Sequence, residues 1–195
     1  KILGPEIAGQ VCNEALELGI LEEREGRLEL HPLVETFFGR RNQMEATPEL
    51  RRATAEALDL YRERREWDPA FELVRRFDIE TEFVVLMLEA IDETVNGGRL
   101  LTMREWIQYA KRKRLMHPVV PLAEVELQLR QGKHLTALTL AKAALEDVSA
   151  QGDVKYRLTV AAARAAHVGS WEEEALSLYQ SSLKLARTRD ERREA

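Results

Sequence analysis

The feature that most constrains this chain is a helix-opening pattern that recurs about every 34 residues from residue 67 onward. The stretches Trp67-Asp68-Pro69-Ala70, Leu100-Leu101-Thr102-Met103, His134-Leu135-Thr136-Ala137 and Trp171-Glu172-Glu173-Glu174-Ala175 each open a helical pattern. Each places a bulky residue three or four positions before a small or medium one. Taking Ala70, Met103, Ala137 and Ala175 as equivalent gives spacings of 33, 34 and 38 residues. Seven positions beyond them lie Phe77, Ala110, Ala144 and Ser182. Gly98, Gly132 and Gly169 stand just ahead of three of these helices, where the chain must turn sharply. Two antiparallel helices approach closely only where small side chains meet, so Ala137 and Ala144, two turns apart, should share a tight crossing. Met103 and Phe77 depart from the small residue expected, and the last spacing carries about one extra turn.

The rest of the chain agrees with a mainly α protein. Ala, Leu, Glu and Arg dominate, while Pro and Gly are scarce, at 6 and 10 residues. The net charge of −5 opposes binding to phosphate backbones. Cys12 is the only cysteine, which excludes an intrachain disulfide and a thiolate metal cluster and fits a reducing cytoplasm. No apolar run approaches the roughly 20 residues of a membrane span, so a soluble cytoplasmic protein is expected. A start at Lys1 without Met, and a charged end from Arg187 to Ala195, read as the cut edges of a longer protein.

The first 44 residues follow a different pattern. Residues 5–18 predict a helix with Pro5 in its first turn and Ile7, Val11, Ala15 and Leu18 on one face. Gly19 ends it, and weak alternation on either side of Gly26 predicts a hairpin over residues 21–30. A second helix should start at Pro32. Helix, hairpin and helix are the C-terminal part of a winged-helix domain. Such domains often bind DNA, but residues 1–44 hold five Lys and Arg against eight Glu, a net of −3. A recognition surface of that sign is disfavoured, and the wing is expected to pack on protein. Residues 42–47 read as a polar linker, with Thr47 as N-cap and Pro48 at the first position of the next helix. The expected domains are therefore 1–44, a partial winged helix, and 45–195, an α-solenoid of antiparallel helix pairs resembling tetratricopeptide repeats (TPR).

The order of three segments also resembles a known family. Leu28-Glu29-Leu30-His31-Pro32-Leu33-Val34 is followed by Leu60-Tyr61-Arg62-Glu63-Arg64-Arg65-Glu66-Trp67-Asp68-Pro69-Ala70. Gly97-Gly98-Arg99-Leu100-Leu101-Thr102-Met103-Arg104-Glu105-Trp106-Ile107 comes next. Together they resemble the MalT-like large ATP-binding transcriptional regulators of the STAND class. The resemblance implies a nucleotide-binding domain before the winged helix, a repeat arm that receives an inducer, and often a LuxR-type DNA-binding domain at the end. The chain carries no Gly-x-x-x-x-Gly-Lys-Ser/Thr loop, so any ATPase domain, with its ADP or ATP, lies outside it. No cofactor is expected in the chain itself. The resemblance also gives His31 a role, contact with the β-phosphate of ADP in the resting state. A histidine capping its own helix is the plainer alternative.

Registering the repeats places Asp92 and Asn96, Glu126 and Arg130, and Tyr156 and His167 on the surface lined by the first helix of each pair. That surface suits a peptide or small effector, against the simpler reading of a solvated face. Trp67, Trp106 and Trp171 are expected to pack rather than stack a ligand, and His117, His134 and His167 are too scattered for a metal site. Glu172, Glu173 and Glu174 are better read as helix-start acids, with Ser170 and Glu173 forming a capping box, than as a catalytic cluster. No nucleophile with a nearby base is visible, so no enzyme is expected. The leading expectation is an effector- or partner-sensing arm that relays inducer binding to an ATPase domain outside the chain, with homo-oligomers possible. The alternatives are a general TPR-like protein-interaction scaffold and a DNA-binding winged helix with a helical dimerisation arm.

Overall fold

A computed structural model describes residues 5–24, 26–33, 48–147 and 150–186. The expected linker over 42–47, the Thr47 cap and most of the helix from Pro32 lie outside the described residues. The chain divides into two compact units, Lys1–Ile79 and Glu80–Ala195.

The first unit holds α1 (Pro5–Glu17), β1 (Leu21–Arg24), β2 (Arg27–Leu30), α2 (Pro48–Glu63) and α3 (Trp67–Phe77). The strands pair antiparallel, Leu21 opposite Leu30 and Arg24 opposite Arg27, with Gly26 at φ 76 in the connection. Gly19 closes α1 at φ 65. On the apolar face predicted for the first helix, Ile7, Val11 and Leu18 are exposed among the described residues. Among described elements, β1 is what packs against α1.

The second unit is built from α4 (Glu80–Asn96), α5 (Leu100–Lys113), α6 (Val119–Arg130), α7 (His134–Glu146), α8 (Gly152–Val168) and α9 (Glu172–Leu185). Each helix packs on the next in sequence. In addition α4 packs on α6, and α6 on α8, so these alternate helices share one layer. Helix α8 touches α6, α7 and α9, and it is buried almost continuously from Leu158 to Ala166. Three neighbours can approach one helix because Ala161, Ala162, Ala163, Ala165 and Ala166 present so little bulk. Between α4 and α5 the fully buried Phe83 meets Trp106 and Tyr109 edge-on, at ring-centroid distances of 6.4 and 5.0 Å.

Four connections share one backbone design. The turns after α2, α4, α6 and α8 each put one residue in the left-handed region: Arg65, Gly98, Gly132 and Ser170, at φ 57, 75, 72 and 62. That residue donates to the carbonyl three positions back. The next residue donates five positions back, as in Glu66 to Tyr61, Arg99 to Thr94, Lys133 to Gln128 and Trp171 to Ala166, all at 2.9–3.0 Å. This paired bonding is the Schellman motif, which satisfies the last carbonyls of a helix. Glu66, Arg99, Lys133 and Trp171 then serve as N-caps of the following helix without any side-chain bond. Their carbonyls accept the N–H of Ala70, Met103, Ala137 and Ala175, and those four residues are buried. Of the partners seven positions on, Ala110, Ala144 and Ser182 are buried and Phe77 is half-buried.

The last turn uses its glycine differently from the others: the left-handed residue is Ser170, while Gly169 has φ −77. Gly169 instead lies under the Trp171 indole: a Cβ there would fall 2.0 Å from Cζ3, so the ring would have to shift. Ser170 and Glu173 also form no capping box, since Trp171 is the N-cap. A residue committed to closing α8 in the left-handed region does not hold the extended backbone of an N-cap. Trp67 and Trp106 are buried packing residues, and Trp171 is half-buried over Gly169.

Candidate functional site

The alternate-helix layer of the second unit contains a cavity of about 440 Å³. Helix α4 supplies Asp92, Val95 and Asn96, α6 supplies Glu126, and α8 supplies Asp153, Tyr156, Arg157, Val160 and Arg164. The α8 residues fall on one stripe because they recur at three- and four-residue steps. Tyr156 and Val160 are nearly fully buried and pack with Ala186 and Leu185 beyond and at the end of α9, which makes a fixed apolar floor.

Charged side chains tie the layer together. Arg157 spans from α8 to α4, donating through Nη2 to Asp92 Oδ1 at 2.7 Å and through Nη1 to the Leu88 carbonyl at 3.0 Å. Arg164 donates through Nη1 to both Glu126 oxygens, at 3.1 and 3.4 Å, joining α8 to α6. Arg130 donates to Asn96 Oδ1, joining α6 to α4. The Glu126 side chain is only 12% exposed. Burial pushes its carboxyl above the ordinary value, Asp92 adds to that rise, and Arg164, Arg157 and Arg130 oppose it. The site is thus polar, mixed in charge and cross-braced by partly buried ion pairs.

Of the residues predicted for this surface, Asp92, Asn96, Glu126 and Tyr156 line the cavity together. Arg130 lies beside it, bonded to Asn96 and not itself a lining residue. His167 is exposed near the end of α8 and outside the lining. Sequence reasoning missed Arg157, Arg164 and Asp153. Arg164 was accessible in principle: it lies 38 residues beyond Glu126, the spacing of the last unit, and Glu126 lies 34 beyond Asp92.

His31, in the first unit, precedes the helical residues Pro32 and Leu33. Its Nδ1 accepts the Leu33 N–H at 3.3 Å, and its Nε2 lies 3.6 Å from Glu22 Oε1. That geometry caps the start of its own helix and leaves a partly exposed ring edge. Among the described residues no group of three or more His, Cys, Asp or Glu is placed to hold a metal ion. None of the described helices is long and apolar enough to cross a membrane.

No protein-family model matches the chain, and no curated protein or solved structure is significantly similar to it.

Proposed function

We propose that residues 80–186 are the receiving arm of a larger switch, a TPR-like stack whose shared layer of alternate helices holds a small effector or a short peptide. The observation that carries this reading is the cavity assembled from α4, α6 and α8, one helix from each of three successive pairs. Its volume lies in the range of small-molecule sites, and its walls combine an apolar floor with convergent polar groups. A ligand seated there touches three pairs at once, so binding favours one spacing of the layer over others. That differential contact is what a relay needs, because a ligand shifts a conformational equilibrium only by binding its states unequally. The repeat reading is supported by the three matching turns after α4, α6 and α8 with their buried partner residues.

The wider frame comes from the resemblance to MalT-like regulators of the STAND class. In that frame the arm passes inducer binding to an ATPase domain elsewhere in the same protein, where ADP or ATP is bound. His31 helps to hold the nucleotide-bound resting state. The chain does not itself contact DNA and is cytoplasmic.

Saturation-transfer NMR of this chain tests the receiving role, using a defined mixture of amino acids, amines, dicarboxylates and monosaccharides. The expected result is selective binding of one class that disappears in Arg164→Glu. Binding that is equal in wild type and Arg164→Glu overturns the assignment of the cavity, and so does no binding at all.

A further inference from the structure

The arginine braces of the cavity wall connect different kinds of neighbour. Arg130 joins α6 to α4 and Arg164 joins α8 to α6, and in both cases the two helices already pack on each other. Arg157 instead passes from α8 to α4, with α6 between them in the layer. In a flat layer of helices about 8–10 Å apart, the outer two of three stand about 16–20 Å apart. A direct side-chain bond between them requires the layer to bend inward here.

Arg157 makes the crossing with two bonds, Nη2 to Asp92 Oδ1 at 2.7 Å and Nη1 to the Leu88 carbonyl at 3.0 Å. Leu88 and Asp92 lie one turn apart on the same face of α4, so the planar guanidinium meets both acceptors at once. The carbonyl accepts through the lone pair its own helix leaves unused. The hold is nonetheless easy to release. The Arg157 side chain is 17% exposed, but that of Asp92 is 66% exposed. A carboxylate so open to water is held weakly and is screened by salt. Glu126, in its brace with Arg164, is far more enclosed. We infer that Arg157 is a releasable strap. Closed, it holds α8 toward α4 and keeps the layer curved around the cavity. Released, it lets α8 move away from α4 and widens the cavity. Cavity width and layer curvature are then one variable, which gives the proposed relay its moving part. That last step rests on the cavity being the effector site; the strap itself does not.

The test measures the distance between α4 and α8 with no ligand present. In the chain carrying Cys12→Ser, spin labels are attached at Glu93→Cys on α4 and His167→Cys on α8, both exposed positions. Double electron–electron resonance then reads the distance distribution. Arg157→Gln should move it to longer distance, by the roughly 1–2 Å of ordinary helix shifts or more. Asp92→Ala should do the same. Raising salt to about 1 M should lengthen the distance in the labelled chain with Arg157 intact and leave Arg157→Gln unmoved. Thermal melts check that each variant is folded, and Asp92→Ala, which alters an exposed side chain, carries the test if Arg157→Gln does not fold. A distribution unchanged in both variants overturns the inference. A salt response of equal size in Arg157→Gln overturns it too, because other charges then set the spacing. Since no ligand enters the measurement, either result leaves the receiving role to be decided by the mixture experiment.

Discussion

The four matched turns allow an exchange experiment. Gly98 and Gly132 fill the left-handed position in two of them, and Arg65 and Ser170 fill it in the others. A side chain in that region costs an L-residue roughly 1–2 kcal/mol. Glycine avoids that cost but loses about 0.5–1 kcal/mol more chain entropy on folding. The difference predicts that Ser170→Gly stabilises the second unit by about 0.5–1 kcal/mol. Gly132→Ala should destabilise it by about 1 kcal/mol. A Cβ at Gly132 meets nothing within 4 Å, so that loss contains no steric clash and measures the backbone alone. Urea unfolding followed by far-UV circular dichroism resolves changes of this size. In a melt they correspond to a shift of about 2–4 °C for each kcal/mol. A destabilising Ser170→Gly, or a neutral Gly132→Ala, refutes the claim that the two turns do the same work.

Other expectations are as direct. Ala144→Leu enlarges a buried side chain on α7 and should cost about 1–3 kcal/mol in a thermal melt; an unchanged melt counts against the tight crossing. Gly169→Ala must push the Trp171 indole off its seat, so the tryptophan emission should shift and stability should fall, whereas an unaltered spectrum contradicts the close approach. The raised pKa of Glu126 means the folded state holds that proton more tightly than the unfolded state. Its stabilising contribution is therefore full below about 4.5 and is lost as pH rises through the folded value. The unfolding free energy of wild type minus that of Glu126→Gln should fall with rising pH across that window, and a difference that grows with pH refutes the assignment. His31→Ala removes one 3.3 Å cap bond and should change stability by no more than about 1 kcal/mol, measured by urea unfolding.

The helix starts were legible because their signals are local: the bulky residues Trp67, Leu100, His134 and Trp171 each begin or cap a helix in the structure. The hairpin was legible from Gly26 and its flanking alternation. The last turn was legible from its glycine, but the glycine's purpose was not. Gly169 makes room for an indole, and the left-handed backbone falls to Ser170, a residue that carries no such signal. The cavity was half legible for a similar reason. Asp92, Asn96 and Glu126 follow from a period of 34, but Arg164 needs the longer last spacing and Arg157 reaches across two helices to Asp92. A side chain that bonds 65 residues away leaves no periodic trace.

The most direct test of the receiving-arm account is a residue-resolved ¹H–¹⁵N shift map of the chain, recorded with and without the best binder from the defined mixture. The account predicts that perturbed amides cluster around Asn96, Glu126, Tyr156, Arg157 and Arg164, on α4, α6 and α8. Shifts concentrated instead on α5, α7 and α9, with those five residues unmoved, would contradict it.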